Sequence, residues 1–189
     1  MDTNEAFERA ATQFRQRLDR TGDSQWTLPT PCSEWDVRAL VNHVASELRW
    51  IPPLVEGKTI AEVGDSLSGD LLGDDPKTAW TAASREAQAA ASEPGALQRT
   101  VHLSYGDRDA DGYIREVTGD LVIHAWDLAR AVGADTRLDP ELVELTAQSL
   151  GDGIEGARAA GYFAAAVPVR PDADAQDRLI ALTGRDPNG

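Results

Sequence analysis

Cysteine occurs once in this 189-residue chain, as Cys32, which excludes an intrachain disulfide and makes a reducing compartment the simpler expectation. No window approaches the roughly 18 to 20 consecutive apolar residues of a membrane helix. The opening stretch from Met1 to Arg9 is acidic and polar, without the positive start and apolar middle of a signal peptide. A cytoplasmic location is therefore expected. Basic charge is also scarce: 18 lysines and arginines against 32 aspartates and glutamates give a formal charge of -14. Such a field repels phosphodiester backbones and anionic lipid, and the basic residues are scattered, so neither nucleic acid nor a membrane is an expected partner. The plainest reading of the charge is a hydrated acidic surface.

Several chemical signatures are missing as well. No glycine-rich phosphate loop follows a strand, no serine sits in a nucleophile elbow, and no cysteine pair is available for zinc. Internal repeats and low-complexity segments do not stand out. A chain of 189 residues is nevertheless long enough to bury a hydrophobic core without covalent staples, and a single domain over residues 1–189 is expected.

Apolar periodicity predicts an all-α protein with four main antiparallel helices, near residues 3–20, 34–52, 76–92 and 110–132, and further helical segments toward the C-terminus. Phe7, Ala10, Ala11, Phe14 and Leu18 form the stripe of the first helix. Trp26 and Leu28 are expected to pin down the long Gly- and Pro-containing connection after it. In the second helix the stripe is Val37, Leu40, Val41, Val44 and Leu48, with Ser33 and Asp36 placed for a capping box and Pro52 and Pro53 set to stop or kink it. Residues 57–75 read as a surface loop with at most a helical turn. Thr100 to Tyr105 alternates briefly and predicts an extended segment, followed by a turn around Gly106 and Asp107. Asp139 and Pro140 mark another helix start, and a last short helix is expected near residues 174–183.

Only three histidines occur, His43, His102 and His124. On an ideal helix Ile114, Val117, Leu121, Ala125, Leu128 and Val132 share one narrow face, with Asp120 and His124 beside it and about 40 degrees from each other. A pair one turn apart can be a simple hydrogen-bonded couple, or two ligands offered to a metal. His43, on the flank of the second helix, would lie opposite that pair across a helix groove. Two imidazoles and one carboxylate suit a divalent zinc, nickel, iron or manganese ion with an open position better than calcium or magnesium.

The segments "TPCSEWDVRALVNHV", "TVHLSYGD" and "DLVIHAWDLARAVG" resemble the mycothiol-dependent maleylpyruvate isomerase-like proteins of the DinB superfamily, an actinobacterial group of metal-binding four-helix proteins. The resemblance spans roughly residues 5–185. It implies a DinB-like antiparallel four-helix bundle and a metal, usually assigned as zinc, held by His43, Asp120 and His124. It also implies an isomerase or S-transferase in which the metal holds a thiol, such as mycothiol, as thiolate against a small electrophile. Asp120 is one methylene shorter than the glutamate of the characterised isomerases, and a counterpart of their large C-terminal domain is not expected within these 189 residues.

Around this constellation His102, Tyr105 and Arg108 are candidates for lining the open side of the metal, with His102 as a proton carrier; for His102 the competing reading is a hydrogen-bonded loop residue. Asp127 either orients a histidine ligand or makes a simple salt link to an arginine such as Arg130. Cys32 reads as a local residue rather than the reactive thiol. Trp35, Trp50 and Trp126 read as packing anchors, and Arg38 and Arg49 as solvated surface. The alternative to an enzyme is a non-enzymatic metal-binding helical protein whose groove takes a small molecule or partner. Helical proteins of this kind often pair through an outer face, so a homo-oligomer is compatible with the sequence, which does not mark that face.

Overall fold

Aspartates start most of the long helices. In the computed structural model, which describes residues 1–188, Asp2 accepts a hydrogen bond from the Glu5 amide and opens α1 (Thr3–Arg20). Asp36 does the same for Ala39 at α2 (Val37–Val55). A one-turn helix, α3 (Ile60–Val63), interrupts the following loop. Asp75 and Pro76 begin α4 (Pro76–Ala91), and Asp109 caps α5 (Ala110–Val132) through the Gly112 amide. Each cap satisfies an amide that the first turn leaves without an intrahelical partner. Gly133, at φ +71, ends α5 in the left-handed conformation that glycine adopts most readily.

Two expectations at α2 are corrected. The cap is Asp36 rather than Ser33, because the approach is pinned in extended form: Val37 N–H donates to Leu28 O and Arg38 N–H to Trp26 O. Trp26 and Leu28 are indeed packed against the core. Pro52 and Pro53 lie inside the helix rather than ending it. They remove two ladder bonds, but Ile51, Leu54 and Val55 are buried in the last turn and hold it to the bundle.

Between α4 and α5 the chain forms a hairpin, β1 (Thr100–Leu103) and β2 (Gly106–Asp109). Val101 pairs with Arg108 and His102 with Asp107, so the two turn residues are Ser104 and Tyr105 rather than Gly106 and Asp107. After α5 come α6 (Pro140–Leu150), α7 (Ile154–Ala159) and α8 (Ala175–Leu182).

The fold is an all-α, DinB-like antiparallel four-helix bundle with additional C-terminal helical segments. Helix α1 packs on α5, α2 packs on α4 and α5, and α6 joins α5 to α8. One hydrophobic cluster runs through all four bundle helices, with Phe14 and Trp80 stacked at 5.1 Å between α1 and α4. The predicted stripes of α1 and α2 are buried, as are Ile114, Val117, Leu121, Ala125 and Leu128 of α5. The groove between α2 and α5 is where polar side chains collect.

Candidate metal centre

The helical period places Asp120 and His124 one above the other on α5, and the packing of α2 against α5 brings His43 to face them. His124 Nε2 lies 3.2 Å from Asp120 Oδ1, and His43 Nε2 lies 3.4 Å from Asp120 Oδ2. One ligand atom from each of the three residues lies within 4.8 Å of the others. The two rings meet edge to face, with centroids 5.1 Å apart.

Asp120 Oδ2 is buried and has no hydrogen-bond partner. A buried carboxylate oxygen left so costs free energy unless something else satisfies it. Tetrahedral coordination with bonds of about 2.0–2.1 Å separates neighbouring donor atoms by about 3.3 Å, and the two imidazole-to-carboxylate distances, one to each oxygen of Asp120, are of that order. Two neutral nitrogens, one hard anionic oxygen and an unsatisfied lone pair therefore fit a divalent cation. The shorter side chain of Asp120 reaches both imidazoles.

Electrostatics reinforce the cluster. Burial alone would raise the Asp120 carboxyl, but the adjacent His124 charge and the two imidazoles hold it well below the usual carboxylate range. Burial works against a charged His124, and Asp120 outweighs it, followed by Asp127 and Cys32, so that the imidazole is raised well above its ordinary value. Glu47, one turn along α2 from His43, is pushed up by burial and then by the Asp120 charge.

A second layer lies behind His124. Its Nδ1 donates to Asp127 Oδ2 at 2.8 Å, and the Asp127 side chain is wholly buried. A carboxylate there is acceptor-only, so the Nδ1 proton is fixed and Nε2 is turned toward Asp120. Both roles foreseen for Asp127 are present: it orients His124 and it makes a salt link to an arginine, though not to Arg130. Its salt partner is Arg185, with Nε and Nη2 both 2.8 Å from carboxylate oxygens, while Arg130 lies over the Trp126 ring. Burial tends to raise Asp127, but the His124 and Arg185 hydrogen bonds hold it down. Cys32 is half-buried in the same layer and donates to Asp127 Oδ2 at 3.4 Å.

Trp35 covers the pair of imidazoles, its ring 4.6 Å from His43 and 5.7 Å from His124. It is part of the site wall, where only core packing was expected. Periodicity missed it because Trp35 precedes the helix. Arg185 was also missed, since no spacing in the sequence links a residue near the C-terminus to Asp127.

The hairpin residues are distributed differently from the expectation. Tyr105 and Arg108 both bond Glu116, which stands one turn before Asp120 on the same line of α5, so they border the groove without joining the ligand cluster. His102 bonds Asp107 at 2.8 Å across the hairpin and lies in electrostatic reach of Glu62. That is the geometry of a hydrogen-bonded hairpin residue.

The family described as Mycothiol maleylpyruvate isomerase N-terminal domain matches residues 7–129. Two Mycobacterium tuberculosis proteins, Uncharacterized protein MT0763 of strain CDC 1551 / Oshkosh and Uncharacterized protein Rv0738 of strain H37Rv, are each 31% identical over 187 residues. Each match covers 98% of this chain and 98% of the relative. No solved structure matches the chain. Among the described residues no helix is long and apolar enough to cross a membrane.

Proposed function

Because the chain belongs to the mycothiol maleylpyruvate isomerase N-terminal domain family, we propose that it is a divalent-metal protein carrying out mycothiol-dependent isomerisation or S-transfer on a small electrophile. His43, Asp120 and His124 hold the ion, with zinc the leading choice and nickel or iron the alternatives. The observation that carries this reading is the buried, unpartnered Asp120 Oδ2 set against His43 Nε2, with His124 Nε2 at the other carboxylate oxygen. The two mycobacterial relatives support an actinobacterial setting, and the family's description supports mycothiol as the thiol.

Bound there, a divalent cation lowers the pKa of a coordinated thiol and makes a nucleophile available at neutral pH. The chain's own residues prepare that event. Asp127 holds the Nδ1 proton of His124, so Nε2 is the nitrogen that would give up its proton to an ion in the site. Trp35 limits the freedom of both imidazoles and shields them from water on one side. His43 and Asp120 keep 28% and 31% of their side-chain surface exposed, which leaves the groove accessible. Tyr105 and Arg108, fastened to Glu116, form the rim nearest the electrophile's approach.

The test is metal analysis of tag-free protein purified without added metal, followed by an assay of thiol consumption with mycothiol and a small electrophile. Stoichiometric metal and metal-dependent turnover are expected. Absence of metal after loading would contradict the proposal, and metal without thiol chemistry would favour the non-enzymatic metal-binding reading.

A further inference from the structure

We propose that Arg185, near the C-terminus, is a positioning residue for the metal centre, acting through Asp127 on His124. The inference rests on the metal reading above and extends the site to a part of the chain beyond residues 7–129, where the family match ends.

The route is short and buried. Arg185 Nε donates to Asp127 Oδ1 and Nη2 to Asp127 Oδ2, each at 2.8 Å. Nη2 also reaches Cys32 Sγ at 3.2 Å, and Nη1 donates to the Thr183 carbonyl at 3.1 Å. The side chains of Arg185, Asp127 and His124 retain 10%, 0% and 6% exposure. A fork of this kind fixes a carboxylate plane far better than a single point charge does. Asp127 Oδ2 then accepts from His124 Nδ1 at 2.8 Å, so the plane set by Arg185 sets the imidazole orientation and the position of Nε2.

The backbone is shaped to deliver this side chain. Helix α8 packs on α6, which packs on α5. Thr183 is buried, and Gly184 follows at φ +85, so close to Ala164 that an added Cβ would come within 2.7 Å of its Cβ. The turn after α8 therefore admits the chain at a point where Arg185 reaches back into the bundle. Without Arg185, Asp127 would be a buried carboxylate held by a histidine and a thiol alone, free to rotate between their demands.

The experiment compares wild type, Arg185→Lys, Arg185→Ala, Asp127→Asn and the double variant R185A/D127N. Zn2+ affinity is read by competition with a chromophoric chelator at fixed pH. The His124 Nδ1–H resonance is read by NMR on metal-free protein. R185A should bind Zn2+ about tenfold more weakly, in line with the usual effect of removing a group behind a metal ligand. R185K should lose less, and R185A should add nothing in the D127N background. The Nδ1–H resonance should be lost to solvent exchange in R185A and retained in R185K. A lowered thermal midpoint with unchanged Zn2+ affinity and an intact Nδ1–H resonance would reduce Arg185 to a strap on the C-terminal segment and overturn the inference. If R185A fails to fold, wild-type Zn2+ affinity in D127N has the same force, because the route from Arg185 to His124 runs through Asp127. If wild type binds no Zn2+, the metal reading falls by that result, and persistence or loss of the Nδ1–H resonance in R185A still decides the positioning role.

Discussion

Asp120 Oδ2 lies 3.4 Å from His43 Nε2, joining α5 to α2 by two side chains that are distant in sequence. A local hydrogen bond within α5 explains Asp120 and His124 but gives no reason for His43 to point at the same carboxylate. Asp120→Ala should weaken Zn2+ binding by at least about 100-fold, since it removes the only anionic ligand, whereas the helix gains a better helix former. Circular dichroism should show the helical content unchanged, and a chelator titration measures the loss.

Trp35 lies tilted against both imidazoles, so a paramagnetic ion in the site should quench its fluorescence. Titration with Co2+ should dim wild type in a saturable way and dim Trp35→Phe much less. Equal quenching in the two proteins would place the ion elsewhere.

Glu47 gives a pH signature in the metal-free protein. Burial, and then the Asp120 charge, raise its carboxyl in the folded state. Its ionisation therefore costs stability as pH rises from the unfolded value of about 4.3 through the higher folded one, and that cost is absent below both. Glu47→Gln should be more stable than wild type at pH 7 and equal to it near pH 3. Each 1 kcal/mol of relief raises the thermal midpoint by about 2–4 °C in a chain of this size, and melting curves across the pH range measure it.

The core and the centre should separate experimentally. Phe14 is fully buried and stacked on Trp80, away from the α2–α5 groove. Phe14→Ala should cost about 3–5 kcal/mol in urea unfolding and leave Zn2+ affinity unchanged at temperatures where the protein remains folded.

What could be read from the sequence was whatever a single helix carries in its own period. The α5 stripe from Ile114 to Leu128 and the Asp120–His124 spacing follow from 3.6 residues per turn, and the scarcity of histidine drew attention to His43. Features that depend on non-local pairing were not legible. The extended approach of Trp26 and Leu28 to α2 moved the cap from Ser33 to Asp36, and burial of Leu54 and Val55 carried α2 past two prolines. Trp35 gained its place over the imidazoles from that same approach. Arg185 meets Asp127 only after α6 and α8 have folded back on the bundle, so neither residue's neighbours in sequence announce the pair.

The most direct measurement is Zn2+ affinity of wild type and His43→Ala, by competition with a chromophoric chelator at one fixed pH. His43 shares no helix with Asp120 and His124, and a common ion makes its loss as large as that of a ligand rather than that of a neighbour of Asp120. The predicted result is one high-affinity site per chain in wild type and a loss of at least about 100-fold in H43A, with both proteins equally helical. Equal affinity in the two proteins would contradict the three-residue centre and leave His124 as a structural partner of Asp120 and Asp127.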